Sequence, residues 1–223
     1  MYTQKESSLE LINCVWHARV AHDGVYTDPA NEYWSLGFIR HSSGFFSAEL
    51  YGPSLQPRTL DGHTSEEYWG IEFRAHVALN SIRKGEILNA HMALRTVDMH
   101  FEIGDHQYVI PSYDDLENFA QQLQKDDVIM ADSRLCRALR GNDTGFSERS
   151  RQRHFKSVTG LTKKQIEQLQ RARHAFCLLQ SGYSPARASQ VSGYADQSHM
   201  TRSLKLLRGE TPAQIIAAHL KRT

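Results

Sequence analysis

Two clusters of hydrogen-bond donors in the last third of the chain have a spacing that could do chemistry. Arg149, Gln152, Arg153 and Lys156 recur at intervals of three, one and three residues, and Gln197, Ser198, His199, Arg202 and Lys205 form a second set. On an α-helix such intervals gather the side chains on one exposed face. Guanidinium, amide, imidazole, hydroxyl and ammonium groups are the ones that bond base edges and phosphates in a duplex. Arg149, Arg151, Arg153 and Lys156 also repel one another, so an anionic ligand is their natural compensation. A solvated basic face is the plain alternative for either cluster.

The first half holds a different set of reactive groups. His17, His22, His41, His63, His76, His91, His100 and His106 are scattered, with no close His-x-His pair followed by Glu to hold a catalytic metal. No G-x-S-x-G elbow and no phosphate-cradling glycine loop occurs. Cys14, Cys136 and Cys177 are odd in number, widely spaced and lack a C-x-x-C pair, as expected of idle thiols in a reducing cytoplasm. The expectation is a non-enzyme with no catalytic residue, cofactor or metal. The competing reading is a metal- or thiol-dependent enzyme or sensor built on the amino-terminal β-domain, with Cys14 beside His17 as its thiol.

The elements that must position these groups are of two kinds. Before residue 128 the pattern is mostly strand. Glu32 to Arg40 and Phe45 to Tyr51 flank a turn at His41-Ser-Ser-Gly44, and Tyr68 to Arg74 puts Trp69, Ile71 and Phe73 on one face. Phe101 to Ile110 reads as a hairpin turning at Gly104-Asp105. Ser112 is placed to cap a helix over about 114–124, with Leu116, Phe119 and Leu123 as its apolar stripe. This predicts a small curved β-sheet closed by one helix, an α+β domain. Trp34, Phe38, Trp69 and Phe73 read either as core or as the lining of a ligand pocket.

From Val128 the texture becomes helix, turn, helix. Asp132 to Leu139 is a short helix and Asn142-Asp-Thr-Gly145 a loop. Ser147 caps a helix to about Val158, anchored inward by Phe155, and Gly160 ends it. Thr162 caps a long helix ending near Gln180, with the stripe Ile166, Leu169, Ala172, Phe176, Leu179. Ser184-Pro185 starts another helix and Gly193 makes a tight turn. Asp196 opens a helix to about Leu207, and Thr211-Pro212 begins the last. In the pair around Gly193, Ser189 is the small residue that lets one helix brace the next, and Met200 and Leu204 point inward.

Charge divides the chain in the same place. The net charge is +1, yet Met130 to Thr223 holds 17 Lys and Arg against 6 Asp and Glu, leaving 9 against 19 before it. The basic part can neutralise phosphates and the acidic part would be repelled by them. Two domains follow, 1–127 for sensing or assembly and 128–223 for binding DNA. Hydrophobic residues at 40% and charged residues at 23% are ordinary for a soluble globular chain. No run approaches 18 apolar residues and the first ten are polar, so neither a membrane span nor a secretory signal is expected.

Ser147 to Ile215 resembles the DNA-binding domain of the AraC/XylS family of bacterial transcription regulators. The strings that carry the resemblance are SERSRQRHFKSVTG (147–160), RARHAFCLLQSG (171–182) and SGYADQSHMTRSLKLLRGETPAQI (192–215). It implies an all-α domain of two helix-turn-helix units joined by a long helix, whose exposed recognition positions touch DNA. Here these are Arg149, Gln152 and Arg153, then Gln197, Ser198, His199 and Arg202, with Lys156 and Lys205 suited to phosphate. Double-stranded DNA is the expected partner, RNA polymerase and an unidentified small-molecule effector are further candidates, and the chain is expected as a cytoplasmic monomer or homodimer. Two departures stand out. Only a short helix precedes the first recognition helix, so that unit reads as reduced. Arg151 occupies a place where the family buries Leu, so it should run outward or the helix should pack differently.

Overall fold

The computed structural model describes residues 2–142 and 147–220. The strands of the first part are β1 (Tyr2–Glu6), β2 (Ile12–Arg19), β3 (Gly24–Asp28), β4 (Trp34–Arg40), β5 (Phe46–Tyr51), β6 (Arg58–Gly62), β7 (Glu67–Phe73) and β8 (Val77–Leu79). They continue with β9 (His91–Leu94), β10 (Thr96–Val97), β11 (His100–Ile103), β12 (His106–Val109) and, after helix α1 (Leu116–Lys125), β13 (Ile129–Ala131). Then follow α2 (Ser133–Leu139), α3 (Glu148–Thr159), α4 (Lys163–Gln180), α5 (Pro185–Val191), α6 (Gln197–Arg208) and α7 (Pro212–Leu220). A β-rich domain with one helix is thus followed by an all-α region, the architecture expected.

The main sheet is six-stranded and antiparallel, ordered β1-β2-β7-β4-β5-β9. Period-2 alternation sends Trp34, Leu36 and Phe38 of β4 and Trp69, Ile71 and Phe73 of β7 to one face, where all are buried. Leu116, Phe119, Ala120 and Leu123 of α1 complete this core. Trp34 stacks on Phe73 at 4.3 Å between ring centroids, and the Trp34 and Trp69 indoles donate to the carbonyls of Val77 and Pro111, each at 2.9 Å. The four aromatics read as either core or pocket lining are core. On the opposite face Gly37 and Gly70 sit side by side in the register, because the Trp16 ring lies over them. A Cβ on Gly70 would come within 2.5 Å of the Leu36 carbonyl oxygen and 2.7 Å of the Trp16 ring.

Three local expectations are corrected. Ser112 does not cap α1: a 3₁₀ turn, Tyr113–Asp115, intervenes, and the Ser112 hydroxyl donates to the Asp115 carboxylate at 2.6 Å. In α4 the buried stripe runs through Ala175, while Phe176 is half-buried. The change of texture at 128 begins with a strand, since Ile129, Met130 and Ala131 pair with Leu79, Ala78 and Val77. Three apolar residues there satisfy their backbone on β8 before the helices begin. The expected loop 142–145 lies, after Asn142, outside the described residues.

By compactness the chain forms two units that differ from the division by charge. One contains the described residues of 1–26, 32–53 and 61–163, so it includes α2 and α3. The other contains 27–31, 54–60 and the chain from 164 onward.

Candidate nucleic-acid interface

Each helix carrying the donor-rich clusters is defined at both ends by its sequence. The Ser147 hydroxyl accepts from the Ser150 amide at 3.3 Å, and Gly160 closes α3 in the left-handed region at φ +73°. Asp196 caps α6 by accepting from the His199 amide at 2.6 Å, and Gly209 ends it at φ +78°. Ser184 caps α5 in the same way, with Pro185 at its first position.

The inward faces are apolar and the outward faces cationic. Met200, Leu204 and Leu207 are buried on α6, and Ser189 and Ala188 are buried on α5, as a brace helix needs. Phe155 is the buried anchor of α3. Arg149, Gln152, Arg153 and Lys156 on α3, and Gln197, Ser198, His199, Arg202 and Lys205 on α6, are all exposed. The structure therefore brings the expected residues together as one set on each helix.

The first unit is built differently from the second. In place of a full brace helix, α3 packs on β8 and on the 3₁₀ turn Lys84–Glu86. A Cβ on Gly160 would meet Gly85 N at 3.0 Å and the Lys84 carbonyl carbon at 3.1 Å, so the glycine is needed for that approach. Asp132, which caps α2, also lies 2.8 Å from His154 Nε2 on α3. Beneath the turn, Lys84 is buried and donates to the Ala75 carbonyl at 2.9 Å, and burial pushes its ammonium down to about 7. Arg151 is half-buried on α3.

Some contributing residues were not singled out in the sequence. The Tyr194 ring meets the His199 ring edge-on at 5.2 Å, its hydroxyl pairs with Ser203 Oγ at 3.0 Å, and Arg171 lies over it at 5.6 Å. Tyr194 thus props the first turn of α6 against α4, and the aromatic following Gly193 was its only trace in the sequence. Arg208 lies over Phe176 at 3.5 Å, and burial holds its guanidinium below the ordinary value. Lys205 donates to the Gly209 carbonyl at 2.9 Å, closing the end of α6 while its side chain stays exposed.

Burial and the neighbouring Glu72 carboxylate push the Cys14 thiol up, away from a reactive thiolate. His17 is engaged by Glu67 at 2.7 Å. Among the described residues no group of three His, Cys, Asp or Glu side chains is arranged to hold a metal, and no helix is long and apolar enough to cross a membrane.

A capped brace helix, a glycine turn and a donor-faced second helix define a helix-turn-helix DNA-binding protein. A family model described as a helix-turn-helix domain matches residues 141–218. The chain thereby carries a helix-turn-helix domain of the DNA-binding kind over these residues. No curated protein matches it in sequence. Among solved structures it is similar to ToxT from Vibrio cholerae. One ToxT structure is 10% identical with a TM-score of 0.44, covering 97% of this chain and 98% of that one. Another is 12% identical with a TM-score of 0.45, covering 97% of each.

Proposed function

We propose that the chain reads DNA with two helices, α3 and α6, in successive major grooves on one face of a duplex. The observation that supports this most is the shared design of the two helices: each is capped by a side-chain oxygen, closed by a left-handed glycine, anchored on its buried side (Phe155 on α3; Met200, Leu204 and Leu207 on α6) and faced outward with exposed donors. Between them runs α4, whose 18 residues span about 27 Å at ~1.5 Å per residue. That length suits two heads separated by about one turn of B-DNA, ~34 Å.

In this reading Arg149, Gln152 and Arg153 meet one groove and Gln197, Ser198, His199 and Arg202 the next, with Lys156 and Lys205 on phosphates. Residues 128–223 are the DNA-binding part and 1–127 the sensing or assembly part, on which a small-molecule effector would act. RNA polymerase is the second macromolecular partner, and the site of action is the bacterial cytoplasm. One chain holds both heads, so a monomer suffices to bind and a homodimer would double the site.

The test is fluorescence anisotropy of the full chain on a duplex it prefers, with each base pair varied in turn. Arg153→Ala and Arg202→Ala should relax preference at different base pairs about 10 apart. Relaxation at the same position, or at none, would contradict the two-groove reading.

A further inference from the structure

The compact unit that holds α6 contains more than the carboxy-terminal helices. Segments 27–31 and 54–60, far upstream in sequence, belong to it. The Ala30 amide donates to the Leu207 carbonyl at 2.8 Å. Leu207 lies in the last turn of α6, where helix carbonyls lack intrahelical partners, so Ala30 supplies a bond that the helix cannot make for itself. Pro57 lies against Gly209, the residue that ends α6: its Cγ is 3.8 Å from where a Cβ would stand.

The two segments are also locked to each other. Asn31 and Ser54 exchange backbone hydrogen bonds of 3.1 and 2.9 Å, and Ser54 is fully buried. The Arg58 guanidinium grips one Asp28 oxygen through Nη2 at 2.5 Å and Nε at 3.1 Å. Gln56 and Pro57 then line one cleft with Thr201, Arg202, Lys205 and Leu206 of α6. The strap therefore touches the end of the reading helix and faces, across this cleft, the flank that carries two of its donors.

Resting on the DNA-reading function above, we propose that this strap is a positioning part of the second reading head, setting the placement of α6 and so its choice of sequence. The geometry makes the effect large enough to matter. A helix of 12 residues is about 18 Å long, and a tilt of ~3° about one end moves the other by about 1 Å. Base readout tolerates errors of about 0.5 Å. Releasing the carboxy-terminal anchor of α6 thus misplaces Gln197, His199 and Arg202 without unfolding the helix, whose cap and buried face remain.

The experiment uses the full chain, a duplex selected by the wild-type protein and a scrambled duplex of equal length. Asp28→Arg, Arg58→Asp and the double exchange are compared by the ratio of the two affinities, and Asp28→Asn serves where a reversal melts the protein. Changes in phosphate attraction act on both duplexes and cancel in the ratio. The expected result is a loss of about tenfold in the ratio for each single variant, the size of one mismatched base pair. The melting temperature should stay near wild type, and the double exchange should recover most of the ratio. Folded single variants that keep the wild-type ratio, or a double exchange that fails to restore it, would overturn the strap's role. A wild-type ratio near one would instead bring down the DNA-reading function on which it rests.

Discussion

Arg202 and Lys205 sit one turn apart on α6, yet their chemistry assigns them different work. Arg202 is exposed and offers a planar fork that matches a guanine edge, while the Lys205 ammonium is a point charge held near the Gly209 carbonyl. Arg202→Ala should cost roughly 1–3 kcal/mol on the preferred duplex and relax one base pair. Lys205→Ala should weaken every duplex alike and flatten the salt slope by about one. Titration of both variants against matched and mismatched duplexes at several salt concentrations checks this, and identical behaviour would refute the division. These outward residues were legible because helical spacing alone groups them. Lys84 was not: nothing in its sequence neighbourhood says that it is enclosed beneath α3. Its folded value, about 7, lies below the ordinary lysine value of 10.5, so the unfolded chain binds more protons between them. Stability therefore rises with pH across that window through this group. Lys84→Met should remove that part of the slope, read as the difference between the two proteins' denaturation midpoints at pH 7 and pH 9.

At the scale of elements, helix boundaries were readable wherever a cap or a stop is a chemical necessity. Ser147, Ser184 and Asp196 each accept an amide that would otherwise be unpaired, and Gly160, Gly182 and Gly209 each take positive φ. What the sequence did not disclose depends on distant partners. The strand Ile129–Ala131 exists because Val77–Leu79 is there to pair with it, and the bond from Ala30 to Leu207 joins residues 30 and 207 with no local mark. Ala175 rather than Phe176 lies in the buried stripe of α4, and the half-buried phenyl ring is the platform on which Arg208 rests, a partner with no local mark. Gly160 and Gly182 separate local strain from packing. Both are left-handed, but a Cβ on Gly160 meets the Lys84–Gly85 backbone near 3 Å, whereas one on Gly182 meets nothing within 4 Å. Gly182→Ala should cost about 1–2 kcal/mol from strain alone. Gly160→Ala should cost clearly more and loosen α3. Equal losses in chemical denaturation would show that the contact under α3 contributes nothing.

At the scale of the whole molecule, charge and compactness draw different lines through the chain. Charge separates an acidic front from a basic rear near residue 129, which is how DNA binding was legible. Compactness gathers α3 with the β-rich unit and gathers 27–31 and 54–60 with α6. A fragment 128–223 would strip β13 of its partner strand, α3 of its support and α6 of the Ala30 bond. Amides of α3 should accordingly exchange with solvent far faster in that fragment than in the full chain, and equal protection would mean that the helices stand alone.

The most direct measurement of the central claim is selection of bound duplexes from a random library by the intact protein. Two short recurring motifs, spaced about 10 base pairs apart on one face of the duplex, are the predicted result. A selected pool with no sequence in common, at every ionic strength where the protein stays folded, would contradict it.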